Sequence, residues 1–561
     1  MSFWRVQRGK GMQRNTSAPT YRAAWKDRKL ARRTTPEGDL QRLRVRIGRA
    51  AQSGDEREVE ALAHEMLNSS VIMPSDLKKL SELGRQLFAP TIAVDALRQM
   101  YERDPGNLAM LFDLASMEEF FCLNIEAFTH LEEAAAMCRS ATDFLRLGEE
   151  YNKLNELEAS FAACERAVEI DPNNRLAQYS LAVCFGFLGN LDEAETIYTN
   201  LIANDFQKEF AVQNRAWLRR QTSERNHVQE LRKIIQALPA GPTSAPEILY
   251  GLGKELEDLG EATASFEEYE AAATARRQSY TKFSLERELR KAEQQIQNFT
   301  PEFFTDPHEG HPSTEPIFVV SMPRAGSTLL EQILGRHSSV FAAGELDCFM
   351  RLATFAATQA AREAEAKDAF KPDWYTKLAF RDLGEAYIRA TRPRTGHTPH
   401  FVDKLPGNYI FCGTIACALP DAKIIHIHRE PMDACFAMYK QFFHNTYKFT
   451  YDQRELGSVY AAYRRLMDHW DKVMPGRIIH VAYEELVNDT EKVTRDLISR
   501  LGLPWEDACL DHAADSGPSK TASAVQVRQP VYKTSVGRWR SVAHRLGPLI
   551  ETLEAEGIKT D

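Results

Sequence analysis

A chain of 561 residues with 43% hydrophobic composition can bury more than one core, because single cores stop growing at roughly 250 to 300 residues. Two or more folded units are therefore expected. The formal net charge of -9 argues against a chain-wide nucleic-acid footprint, and no stretch approaches the roughly 18 apolar residues of a membrane span.

The first 33 residues break the acidic average, with ten Lys or Arg against one acid, Asp27, and residues 1–38 are expected to form a basic flexible tail. No apolar segment of the secretory kind follows it, so the chain reads as a cytoplasmic, soluble protein without a membrane span and without a nucleic-acid partner. Its nine cysteines are scattered, with no CxxC pair and no zinc-type spacing, which predicts reduced, buried thiols and no structural metal.

Repeats come next along the chain. Phe144, Leu147, Gly148, Tyr151, Ser160, Cys164, Ala167 and Pro172 occupy the characteristic positions of a 34-residue tetratricopeptide frame, a pair of helices per unit. Large residues fill the groove between the helices, small ones at 148 and 160 allow close approach, and Asp171-Pro172 ends the second helix. Weaker copies appear at Leu111, Leu114, Ala127 and Leu131, at Leu181, Ala182, Ala194 and Tyr198, and at Leu252, Gly253, Ser265 and Tyr269. An α-helical tetratricopeptide (TPR) solenoid over residues 39–295 is predicted. Such arrays bind peptides or partner proteins on one face, or serve only to brace a neighbouring domain or to dimerise it, and both readings stay open, as does a homo-oligomer. Pro301, Asp306-Pro307, Gly310 and Pro312 then replace the helical periodicity, marking residues 296–316 as a linker.

Beyond the linker, Ile317 to Met322 form a short apolar run ending in Pro323-Arg324-Ala325-Gly326-Ser327-Thr328, after which Leu329, Leu330, Ile333 and Leu334 resume helical spacing. The pattern is strand, loop, helix. Gly326 permits close backbone approach, Ser327 and Thr328 offer hydroxyl donors, and the helix start presents N–H groups and a positive dipole end to an anion. The Walker A spacing is missing, because Arg324 precedes the glycine where a Walker lysine would follow one. That disfavours a P-loop kinase.

A Pro-Arg-x-Gly-Ser-Thr-Leu run after a strand resembles the 5′-phosphosulfate loop of sulfotransferases that use 3′-phosphoadenosine 5′-phosphosulfate (PAPS), nearest to the tyrosylprotein sulfotransferases and their tetratricopeptide-linked relatives. Four further segments fall in the family's order. Gly344-Glu345 matches its Gly-Glu, implying Glu345 as general base, a role that suits a hydroxyl acceptor whose proton must be removed. Lys404, after Phe401-Val402-Asp403, matches the lysine that stabilises charge at the sulfuryl group, as preorganised cations do in related transfers. Arg429 ends the apolar strand Ala422 to His428, and the resemblance assigns it to the 3′-phosphate, which a guanidinium fork suits. The family serine eight residues later is Ala437 here, with Cys435, Tyr439, Lys440 and Gln441 nearby.

The last segment, Thr521 to Pro530 followed by Ser535-Val536-Gly537-Arg538, is similar to the family's nucleotide-closing loop, which implies Ser523, Gln526, Arg528 and Arg538 at the nucleotide and Tyr483 beside it. The resemblance thus implies cofactor contacts from Arg324, Ala325, Gly326, Ser327, Thr328, Arg429, Tyr483, Ser523, Gln526, Arg528 and Arg538, catalysis by Glu345 and Lys404, and no metal. His426 and His428 share a strand face, but no third metal ligand is evident in the sequence. The fold expected for 317–561 is an α/β, P-loop-like sulfotransferase domain with a central parallel sheet. The acceptor reading leaves open a protein tyrosine held by the TPR array, a carbohydrate, a lipid or a small alcohol. A TPR scaffold with a decayed transferase half is the alternative that Ala437 suggests.

Overall fold

The computed structural model describes residues 35–363, 372–511 and 536–560. Fifteen α-helices follow one another from Pro36 to Asn298 among the described residues. The hairpin of Ala141–Lys153 and Leu157–Ile170 shows why small residues recur. A Cβ on Gly148 would lie 2.8 Å from Cys164 Sγ and 3.2 Å from the Ser160 carbonyl, and the Ser160 hydroxyl donates to the Gly148 carbonyl at 2.8 Å. The hairpin of Pro246–Asp258 and Ala262–Ser279 repeats this joint, with Ser265 donating to the Gly253 carbonyl at 2.6 Å.

Residues beyond the array build a five-stranded, wholly parallel sheet from β1 (Pro316–Val320), β2 (Val340–Ala342), β3 (His400–Asp403), β4 (Lys423–His428) and β5 (Ile478–Ala482), in the order β2-β3-β1-β4-β5. All of β1 is buried, as a near-continuous apolar run in the middle of a covered sheet must be. The period of two sorts its side chains between two cores. Ile317 and Val319 join Leu330, Ile333, Ile425, Ile427, Ile479 and Leu497 on one face. Phe318 and Val320 join Phe401, Ile424 and Trp470 on the other, and that second core continues into Leu249, Tyr250, Phe266, Tyr269 and Phe299 from the end of the array.

The array also meets the α/β half along its earlier repeats. Arg362, with a side chain 6% exposed, pairs with Glu56 at 3.0 Å and Glu60 at 3.1 Å and donates to the Leu87 carbonyl. Phe355 sits among Phe88, Phe120 and Phe121, and Arg351 pairs with Glu119 at 2.7 Å. At the last hairpin, Arg277 grips Glu455 through two nitrogens at 2.6 and 2.8 Å. All nine cysteines are free and buried. Among the described residues no helix is long and apolar enough to cross a membrane.

Candidate functional site at the carboxyl ends of the strands

In an open parallel sheet, ligands bind where strand order reverses, outside the carboxyl ends. Here β1 lies between β3 and β4, so the segments that leave β1, β3 and β4 converge on one crevice. The loop after β1 carries two residues in left-handed conformation, Arg324 at φ 66° and Gly326 at φ 97°. Gly326 is required twice over, by that angle and because a Cβ would lie 2.4 Å from Tyr483 Cδ2. It is the N-cap of the Ser327–Gly335 helix. Ala325, Ser327 and Thr328 are buried there, and Arg324 is half-buried.

The segments that leave β2 and β3 bring Glu345 and Lys404 together. The Lys404 N–H donates to the Gly344 carbonyl at 2.9 Å, and its ammonium reaches Glu345 Oε1 at 2.6 Å. The Lys404 side chain has no exposed surface whereas that of Glu345 is 46% exposed, so the carboxylate faces the crevice from a buried cation. Glu331 of the Ser327–Gly335 helix lies 3.7 Å from the same ammonium. Burial alone would pull the Lys404 pKa down, but the carboxylates of Glu345 and Glu331 outweigh it and hold the ammonium above its ordinary value. Burial raises the Glu331 carboxyl. Neighbouring Asp403 is pushed up to about 8 by burial, opposed by the Tyr387 hydroxyl that donates to it at 2.8 Å. Burial, followed by the charges of Glu345 and Glu288, raises the Tyr447 phenol.

At the end of β4, Arg429 is 8% exposed. Its guanidinium lies 4.8 Å from the centre of the Tyr483 ring, 3.9 Å from Asp433, and donates to the Arg324 carbonyl at 3.4 Å. One cation thus ties the loop after β1 to the segment after β5. The start of the following helix, Pro431–Tyr439, is closed by its own cap, since Glu430 accepts from the N–H groups of Met432 and Asp433. Ala437 is half-buried on that helix, and Cys435, Tyr439 and Gln441 are buried around it. Lys440 is turned to Glu257 of the array, which also takes Arg538 at 3.1 Å. Burial would raise the Glu257 carboxyl, but these two cations bring it below its ordinary value. Ser523, Gln526 and Arg528 lie outside the described residues.

Glu331, Asp433 and Glu257 are site neighbours that the sequence reading missed. Glu331 had a usable signal, a lone carboxylate among Leu329, Leu330, Ile333 and Leu334, where a buried acid needs a cation. Glu257 had none, because its partners lie 183 and 281 residues away. A third imidazole does stand beside His426 and His428: His480 of β5 approaches His426, Nδ1 to Nδ1, at 3.0 Å, and its other nitrogen meets Asp471 at 2.8 Å. Among the described residues no group of three or more His, Cys, Asp or Glu could hold a metal ion.

Comparison with known proteins gives two family matches. Residues 316–507 match the sulfotransferase family and residues 144–174 the tetratricopeptide repeat. The chain therefore carries a sulfotransferase-family domain, built on the parallel sheet, and a tetratricopeptide repeat. It is 37% identical over 274 residues to an uncharacterized protein of Aquifex aeolicus (strain VF5), covering 47% of this chain and 35% of that relative. It thus spans about a third of that relative's length. A putative protein-tyrosine sulfotransferase of Caenorhabditis briggsae is 25% identical over 234 residues, 40% of this chain and 80% of the relative. Among solved structures, the sulfotransferase domain from the Synechococcus PCC 7002 olefin synthase aligns with a TM-score of 0.32 and 21% identity, over 46% of this chain and 98% of that one.

Proposed function

We propose that the chain transfers a sulfuryl group from PAPS to a hydroxyl acceptor, with Glu345 as general base. The observation that carries the reading is the half-exposed Glu345 carboxylate held 2.6 Å from the buried Lys404 ammonium, beside a glycine-tight anion loop.

The residues present fit a phosphosulfate nucleotide. Gly326 leaves only backbone against Tyr483, the Ser327–Gly335 helix starts at that loop, and Arg429 is buried on the Tyr483 ring. The donor supplies a sulfuryl group on a phosphate, whose bridging bond breaks as sulfur bonds the acceptor oxygen. In this reading Glu345 takes the acceptor proton at its exposed carboxylate. Lys404 supplies positive charge where the leaving phosphate gains negative charge. Arg324, Ala325, Gly326, Ser327 and Thr328 hold the 5′ side and Arg429 with Ser523 the 3′-phosphate. Tyr483, Gln526, Arg528 and Arg538 border the nucleotide. The scheme needs no metal. Relatives named as protein-tyrosine sulfotransferases in Caenorhabditis briggsae and Danio rerio support a protein tyrosine as acceptor, presented beside the array.

Calorimetric titration with the desulfated nucleotide PAP, alongside ATP and an Arg324→Ala control, tests the donor. PAP binding at micromolar Kd that is lost in the variant and absent for ATP is expected, and absence of PAP binding would sink the reading. Transfer from labelled PAPS to a tyrosine peptide then tests the acceptor class.

A further inference from the structure

We infer that Asn155, a residue of the tetratricopeptide array, is a positioning residue for Glu345, so that the array completes the catalytic site of the α/β half; this rests on Glu345 being the base. Asn155 occupies the turn between the Ala141–Lys153 and Leu157–Ile170 helices at φ 63°, a conformation that asparagine tolerates better than most residues. Its side-chain amide donates to the Ala343 carbonyl at 3.2 Å. That carbonyl is two residues before Glu345, just past the edge strand β2.

The turn is clamped from the other side as well. The Arg394 guanidinium donates to the Asn155 carbonyl and lies 3.6 Å from Glu156. Gly344, at φ 84°, is covered so closely that a Cβ there would lie 2.9 Å from Asn155 Nδ2. The backbone leading to Glu345 is therefore held by β3 through Ala343 N–H to the Val402 carbonyl at 3.1 Å and Lys404 N–H to the Gly344 carbonyl at 2.9 Å, and by the array through Asn155. Glu345 is half-exposed and pairs with Lys404 among the described residues, so the glycine before it helps to set where the carboxylate points.

Two variants of the full chain test this. Asn155→Asp keeps the shape and the left-handed turn but cannot donate to a carbonyl, and Asn155→Gly keeps the turn with no side chain at all. Both are expected to bind one PAP per chain with unchanged Kd. In both, hydrogen exchange at the amides of residues 344–347 should rise about ten-fold while those of β1 and β4 stay as in the wild type. kcat for transfer from labelled PAPS to the tyrosine peptide should fall about ten- to a hundred-fold, with the peptide KM within two-fold. Unchanged exchange at 344–347, or kcat unchanged while Glu345→Gln is inactive, overturns the positioning role and leaves the base assignment standing. Full transfer by Glu345→Gln overturns the base assignment and the positioning role together.

Discussion

Lys404 sits between two carboxylates without any exposed side-chain surface, Glu345 at 2.6 Å and Glu331 at 3.7 Å, and Glu331 is itself 4% exposed. Removing the ammonium leaves Glu331 as a buried acid without its cation, a loss of about 3 to 5 kcal/mol for a broken buried pair. Lys404→Met is thus expected to lower stability by about 3 kcal/mol in urea unfolding, and Glu331→Gln in the same chain should restore much of it. Simple additivity of the two changes would mean that the side chains do not act on one another. Asp403, next in sequence, carries the pH dependence of this corner. Burial, opposed by the Tyr387 hydrogen bond, places its folded pKa at about 8, above the unfolded value of about 3.9. Between those values the folded chain keeps a proton that the unfolded chain has lost. The group's contribution is therefore whole below about pH 4 and lost as pH rises toward 8, at about 1.4 kcal/mol per pH unit in mid-window. Asp403→Asn removes the titration, so its urea midpoint relative to wild type should move in its favour between pH 5 and pH 8. A constant difference would show that Asp403 is already ionised in the folded protein.

At the scale of elements, the repeat joint makes a direct prediction. Gly148→Ala puts a methyl 2.8 Å from Cys164 Sγ and 3.2 Å from a backbone carbonyl, and overpacking of this kind costs about 1 to 3 kcal/mol. Because the sulfur can be trimmed and the carbonyl cannot, adding Cys164→Ala should relieve only part of the loss in thermal unfolding, and full relief would mean that the helices can slide apart. This joint was legible in the sequence, since a 34-residue frame puts the glycine, the serine and the large residues at fixed offsets that only close helix packing requires. The strand, loop and helix of residues 316–335 were legible for a similar reason: an apolar run, a Pro-Arg-x-Gly turn and a return to helical spacing are all local. β2 was not legible, because three residues are too few to show alternation. Nor were the ties of Asn155 to Ala343 and of Glu257 to Arg538, since their distance along the chain leaves no periodic trace in either segment.

The whole molecule is less divisible than its composition suggests. The face of the sheet formed by Phe318 and Val320 shares one core with Tyr250, Phe266, Tyr269 and Phe299, where the Phe299 ring stands edge-on to Trp470 at 5.5 Å and the Tyr250 hydroxyl donates to the Tyr439 carbonyl at 3.2 Å. Both Phe299 and Trp470 are fully buried. A fragment of residues 300–561 would expose that apolar face to water at roughly 25 cal/mol for each Å² uncovered, which over four large aromatic side chains rivals the whole stability of an ordinary domain. The fragment should therefore unfold without a sharp transition and bind a hydrophobic dye in the absence of denaturant. A fragment beginning at residue 246, which restores the last hairpin and the Leu285–Asn298 helix, should recover a cooperative transition while still lacking the Asn155 turn. The two fragments separate two contributions of the array: the last hairpin to the shared core, and the Asn155 turn to the backbone before Glu345. Sharp unfolding of 300–561 together with PAP binding would instead make the α/β half complete by itself and reduce the array to an attached module.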